Sequence, residues 1–377
     1  MTRSVEIAGI GIHPFGRFEE RTVTELGVTA VREALRDAGD PRFQAAFCGT
    51  AYAGVAAGHK VLGAIGRTGV PIVDVEAGCA SGGAALMLAG GAIRAGQYDC
   101  ALVFGIEKMP KGIIRSSFFE PWREEAGLAA TPAYFALRAQ RLMRETGVTK
   151  DQLAEVVVKN RRHGVDNPNA MFRSEVTAEQ VLASRVVCEP LHLWMLCSPN
   201  EGAAAVVLRA APDGAGSGVT LEAAALRSHL PGSVLSEGTP LSGLADDDVV
   251  PPTTLAADAA YDEAGIGPDD VDIVECQDTD AARELLSYEE LGICPKGDAG
   301  KWITEGVTRL GGRVPVNPSG GLLSKGEPLG ASALGQVVEL VTQLRGKSGA
   351  RQVEGARVAL GHTVGRGANA SVVVVRR

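Results

Sequence analysis

Long apolar runs are missing from this chain. Nowhere do about 18 uncharged apolar residues follow one another, which argues against a membrane-spanning helix, and MTRSVEIAGIGIHPFG at the start lacks the apolar stretch of a signal peptide. A cytoplasmic location is therefore expected. Basic clusters are missing too: the net charge is -8 and no Lys/Arg-rich run occurs, so the chain is not expected to bind nucleic acid. Paired cysteines are also lacking. The seven cysteines (Cys48, Cys79, Cys100, Cys188, Cys197, Cys276 and Cys294) are scattered without a CxxC pair and odd in number, which argues against a disulfide framework and a cysteine-rich metal site. Most such thiols behave as small core residues, and no metal is expected.

What is present is an ordinary globular composition, 45% hydrophobic and 22% charged, in 377 residues, enough for about two domains. Short apolar runs read as strands (VEIAGIG, AAFCGTAYAG, VPIVDVE, CALVFGI), with alanine-rich helical stretches between them, so the class is α/β. The second half repeats the order. VTLEAAALRS, VDIVECQD, VPVNPSG and ARVALGHTVG read as strands there, and LAADAAYDEAGI, DAARELLSYEELG and ASALGQVVELVTQLRG as helices. A strand, small-residue turn, long helix and strand around VPIVDVEAGCASGG match those around VPVNPSGGLLSKGEP, which indicates an internal duplication. The Gly/Pro/Ser-rich stretch at 211–219 is the best boundary, giving domains 1–214 and 215–377. Residues from about 110 to 190 have no counterpart and carry a cluster of aromatics (Phe118, Phe119, Trp122, Tyr134, Phe135 and Phe172); they read either as a cap over a site between the halves or as a dimer-forming or structural excursion.

Cys79 lies where an expected strand ends in a Gly-flanked turn and a helix begins at about Ser81. A thiol there meets free N–H groups and the positive end of a helix dipole, which favours the thiolate. The surrounding glycines leave room for a thin substrate arm or for close helix packing. A small buried core cysteine is the competing reading. The duplicated turn carries Ser324, Lys325, Gly326 and Glu327, and pseudo-symmetry brings the two turns face to face. Glu327 could then serve as a base for Cys79, or as a helix-start carboxylate. Arg161, Arg162 and His163 are candidates to hold the phosphate groups of a ligand, against the alternative of a solvated helix face.

The strings CASGGAAL, GIEKM, KNRRHGVDNPNA, CSPNEGAAAVVL, LLSYEELGIC, LGGRVPVNPSGGLLSKGEPLGASALGQVVELVTQLRG and ALGHTVGRGANASVVVV resemble the sterol-carrier-protein-2 (lipid-transfer) branch of the thiolase family, in order and over nearly the whole chain. The resemblance implies a thiolase fold: two βαβαβαββ halves in a five-layered α/β/α/β/α body, usually dimeric, with an inserted loop region. It implies a coenzyme A thioester as substrate, no tightly bound cofactor, and Cys79 as the acyl-accepting nucleophile. The family's HDCF loop reads QDTD here and its GHP motif reads GEP, so Gln277, Thr279 and Glu327 stand where a histidine, an acid/base cysteine and an activating histidine are expected. His362, in GHTVGRGAN, falls in a segment that lines the site in the family. Ser324 in the family-like loop could touch pantetheine. Strand alternation points Cys276 away from Gln277 and into the core. Three functions follow: acyl transfer with carbon–carbon bond making or breaking; retro-aldol cleavage of a β-hydroxyacyl-CoA, which in similar steroid side-chain aldolases often needs a small OB-fold (DUF35-type) partner; or non-catalytic binding of acyl-CoA or lipid.

Overall fold

A computed structural model of the chain describes residues 3–112, 121–126, 130–211, 218–231, 249–365 and 369–377. Most of the boundary stretch at 211–219 and much of the aromatic segment near Phe118 and Phe119 lie outside the described residues.

The first half runs β1 (Val5–Gly16), α1 (Val23–Asp37), β2 (Ala45–Gly49), α2 (Ala57–Ala64), β3 (Ile72–Val75), α3 (Ser81–Arg94) and β4 (Cys100–Lys108). The excursion then carries α4 (Pro121–Glu125), α5 (Thr131–Thr146), α6 (Lys150–Gly164), α7 (Ala178–Ala183), β5 (Val186–Cys188) and β6 (Leu191–His192) before β7 (Glu201–Ala210). The second half has β8 (Thr220–Ser228), α8 (Pro252–Ala264), β9 (Ile273–Glu275), α9 (Ala281–Glu290), α10 (Ala299–Glu305), α11 (Gly321–Lys325), α12 (Leu329–Leu344), β10 (Val358–Gly365) and β11 (Asn369–Arg376). Local chemistry sets several boundaries. Thr22, Thr149 and Thr177 each cap a helix and are answered by a Glu or Gln three residues on, which satisfies two end N–H groups at once.

The strands form the order β3-β2-β4-β7-β1-β8-β11-β10-β9. Its two sides mirror each other. β2 lies parallel to β3 and β4, with β7 and β1 antiparallel beyond; β9 lies parallel to β10, with β11 and β8 antiparallel beyond. The seam is thin, a single Glu6–Thr220 pairing between β1 and β8. VPVNPSG, expected as a strand, forms only the bridge Val316–Val274 at the place β3 occupies in the first half. Pro315 and Pro318 have no N–H to donate, so a ladder cannot run through them. β7 and β11, absent from the expected strands, are the antiparallel returns that complete each half.

Core residues sort into layers. α1 and α2 cover one face of the first side (Leu26, Val61, Leu102), α3 and α12 lie between the two sides (Leu86, Leu334, Val206, Val373), and α8 and α9 cover the outer face of the second (Ala256, Leu285, Val372). The α/β/α/β/α order of a thiolase fold follows. The excursion packs against the second half: Lys159 on α6 pairs with Glu284 at 2.6 Å, and Asn160 donates to Asp278 at 2.8 Å, all buried. Among the described residues no helix is long and apolar enough to cross a membrane.

Candidate active site

Cys79 stands two residues ahead of the 14-residue helix α3, beside its unpaired N–H groups and the positive end of its dipole. Ser81 holds the turn, its Oγ donating to the Gly78 carbonyl (2.6 Å) and accepting from the Ala77 N–H (2.9 Å). The glycines that follow serve packing. A Cβ on Gly83 would meet Ser371 Oγ at 2.1 Å, and one on Gly82 would meet Leu334 at 3.0 Å, so these positions let α3 press against β11 and α12.

The matching turn leads into α12. Gly326 has a φ of 82°, and a Cβ there would lie 2.0 Å from Asn200 Nδ2, so only glycine fits. Glu327 is clamped to the segment before β7, its N–H donating to Ser198 O (2.8 Å) and its carbonyl accepting from Asn200 N–H (3.3 Å). The carboxylate is only 4% exposed. Its Oε1 accepts from Gln277 Nε2 at 2.7 Å and its Oε2 from Cys197 Sγ at 3.2 Å. Burial, then the charge of Glu327, pushes the Cys197 thiol well above the usual range, so it stays a protonated donor at neutral pH. With Nε2 of Gln277 committed to Glu327, its buried Oε1 has no partner among the described residues.

These groups meet in one cavity of about 630 Å³, lined by Cys79, Glu327, Cys197, Gln277 and Thr279 on one part of its wall and by Phe135, Phe172, Trp194 and Leu196 on another. Gln277 faces it while Cys276 is buried in the core. The excursion supplies Phe135, Arg138, Arg161 and Phe172, so it walls the cavity.

Arg161 also lines the cavity, but six other residues expected at the site do not. His163 is buried, its ring hydrogen-bonded to Asn317 O (2.9 Å) and to Leu310 N–H (3.0 Å). Ser324 is buried and donates to Asn160 O at 2.9 Å, which ties α11 to α6. Lys325 is buried in an ion pair with Glu275 at 3.2 Å. Gly326 serves the backbone turn, and Arg162 is exposed and paired with Glu175. His362 lies fully buried beneath Val364 on β10, its Nε2 3.1 Å from Thr253 Oγ1. Burial, aided by Arg283, holds its pKa well below the usual histidine range, so it is neutral. For Ser324, Lys325 and His362 a buried neighbour claims the polar group before the cavity can.

Cys197, Arg138 and Arg283 join the site without being expected there from the sequence. Cys197 is 130 positions from the carboxylate it touches, and nothing local marks it among the seven cysteines. Arg138 pairs with Asp280, whose other oxygen caps α9 through the Arg283 N–H at 3.0 Å; that Asp-to-Arg cap in TDAAR was the one available signal. Thr279 is fixed beside them, its carbonyl accepting from Cys197 N–H at 2.8 Å. Among the described residues no cluster of three or more His, Cys, Asp or Glu could hold a metal ion.

The chain matches the family models "Thiolase, N-terminal domain" over residues 5–211 and "Thiolase C-terminal domain-like" over residues 242–377. It is 38% identical to the benzoylsuccinyl-CoA thiolase subunit BbsB of Thauera aromatica, covering 98% of this chain and 97% of that one. It is 34% identical to sterol carrier protein 2 of Bos taurus, covering 96% of this chain and 70% of that one. Among solved structures it resembles the one titled "Ltp2-ChsH2(DUF35) aldolase", with a TM-score of 0.85 at 23% identity, covering 98% of this chain and 97% of that one.

Proposed function

The chain belongs to the thiolase family, and from that premise we propose that it makes or breaks a carbon–carbon bond on an acyl-CoA thioester, with Cys79 as the acyl-accepting nucleophile and Glu327 as its base. The observation that carries this reading is that the two symmetry-related turns deliver Cys79 and Glu327 to one cavity. Glu327 takes the thiol proton; the Cys79 sulfur attacks the thioester carbonyl; the oxyanion collapses and expels coenzyme A thiolate, which regains a proton. Acyl-Cys79 and free coenzyme A result, and a carbanion or a thiol then attacks the acyl carbon. Gln277 and Cys197 orient the carboxylate by donating to its two oxygens. No tightly bound cofactor is needed. Assembly as a homodimer, and with a small OB-fold protein of the DUF35 type, belongs to this reading, and the naming of the 38% identical relative as a subunit supports a multi-chain enzyme.

A second reading rests on one observation: among the described residues no histidine lines the cavity, and a carboxylate with a neutral amide stands where imidazoles are expected. That set can take a proton from a β-hydroxyl and hold an oxyanion without acylation, which is retro-aldol chemistry. The test is to incubate the protein with short, long and steroid-like acyl-CoAs and examine Cys79 by peptide mass spectrometry while assaying for a released ketone. An acyl adduct on Cys79, with turnover abolished in Cys79→Ala, supports acyl transfer. Ketone plus a shortened acyl-CoA with full turnover in Cys79→Ala would replace it with the aldolase reading.

A further inference from the structure

Among the described residues Arg161 is a buried cation without an acceptor. It projects from α6 into the wall of the cavity that holds Cys79 and is 7% exposed. Its guanidinium carbon sits over the Phe172 ring, 4.1 Å from the centroid. Its Nε has no hydrogen-bond partner, and among the described residues the side chain makes no ion pair. The other cavity arginines differ. Arg138 is paired with Asp280, Arg283 with Glu290, and Arg17 donates to the Met109 and Pro199 carbonyls; Arg185 is exposed. The carboxylate in the lining, Glu327, is already held by Gln277 and Cys197. Burial pulls the Arg161 pKa down to about 10, which still leaves it charged at neutral pH. A desolvated guanidinium with no counter-charge destabilises the fold unless a ligand brings the acceptor.

We propose that Arg161 receives a carboxylate carried on the acyl chain of the substrate, so that the preferred substrates are thioesters of dicarboxylic acids with one carboxylate left free. The inference rests on the reading of the cavity as an acyl-thioester site. The phosphates of coenzyme A are the other source of negative charge, but they are strongly hydrated and suit exposed cations. A planar, singly charged carboxylate suits a guanidinium fork backed by an aromatic ring inside an otherwise largely apolar wall. Arg161 thus sets which acyl groups are accepted, while Cys79 and Glu327 act on the thioester.

The experiment reads binding without turnover. In the Cys79→Ala protein, succinyl-, glutaryl- and adipyl-CoA and their methyl esters are titrated by calorimetry, and the series is repeated with pantetheine thioesters that lack the nucleotide. The free acids are expected to bind about 10- to 100-fold more tightly than the matching esters, in both series. Adding Arg161→Gln erases that preference and leaves ester binding within about threefold; Arg161→Lys retains part of it. Thermal denaturation of Arg161→Gln controls for folding, and its Tm is expected to equal or exceed that of the parent because an uncompensated buried charge is gone. Equal binding of every acid and ester by the parent, equal weakening of both by Arg161→Gln, or a loss seen with CoA but not pantetheine thioesters would each overturn the proposal. Because no step depends on Cys79, a missing acyl adduct would remove the acyl-transfer reading and leave this one to stand or fall on affinity.

Discussion

At the scale of single residues the proposed chemistry turns on Glu327 and Cys197. Replacing the carboxylate in Glu327→Gln removes the proposed base while keeping an acceptor for Gln277. The rate of Cys79 acylation is expected to fall by about 10²- to 10⁴-fold with little change in acyl-CoA binding, measured by stopped-flow release of coenzyme A and by calorimetry. An unchanged rate would remove Glu327 from the mechanism. The two cavity thiols are expected to differ sharply in reactivity. Cys79 sits at a helix N-terminus, whereas burial and Glu327 keep Cys197 protonated, so iodoacetamide near neutral pH labels Cys79 first, and peptide mass spectrometry reads the order. Prior labelling of Cys197 would show that it, and not Cys79, supplies the thiolate. The same contrast explains what was legible. Cys79 is marked by its own neighbours, a strand, a glycine turn and a helix. Cys197 is marked only by Glu327, which reaches it through the fold.

At the scale of elements, close approach between α12 and the first sheet aligns the turns of Cys79 and Glu327. A Cβ on Gly105 in β4 would lie 2.2 Å from Gly330 O and 2.9 Å from Ala331 Cα, and backbone cannot swing aside as a side chain can. Gly105→Ala is expected to cost about 1–3 kcal/mol, read as a lower Tm, and to slow Cys79 acylation because α12 carries Glu327 at its start. A second contact binds the excursion to the body. His163 on α6 donates from Nδ1 to Asn317 O (2.9 Å) and accepts at Nε2 from Leu310 N–H (3.0 Å). Burial, with Lys159 next, lowers its pKa from 6.5 to about 3. The unfolded chain therefore binds this proton first: the stability His163 contributes is complete above about pH 6.5 and is lost as pH falls towards 3. At about pH 5 the loss amounts to ~2 kcal/mol, and a plot of Tm against pH should be flatter for His163→Gln than for the parent over that range.

At the scale of the whole molecule, the halves share a middle layer. α3 from the first half and α12 from the second bury their apolar faces in one cluster with strands of both sides, while the seam between β1 and β8 is a single pairing. The buried layer, not the seam, couples the halves, so urea unfolding followed by far-UV circular dichroism and by tryptophan fluorescence is expected to give one coincident transition. Trp194 and Trp302 both pack in the cluster of the second half, so fluorescence reports on that side while circular dichroism reports on the whole chain, and two separated transitions would show that each half folds alone. The sequence by itself determined the α/β class, the repeat of strand, turn and long helix, and the place of Cys79, because helix and strand periods and turn glycines act between neighbours in the chain. Tertiary structure alone decided which polar groups reach the cavity. Ser324, Lys325 and His362 carry suitable chemistry in suitable motifs, yet each is claimed by a buried partner, Asn160, Glu275 or Thr253, before it can face a substrate. Arg161 and Arg162 are adjacent and chemically alike, but one turns inward against Phe172 and the other outward to Glu175. A helix rotates by about 100° per residue, so packing decides which of two neighbouring arginines loses its water and needs a ligand to replace it.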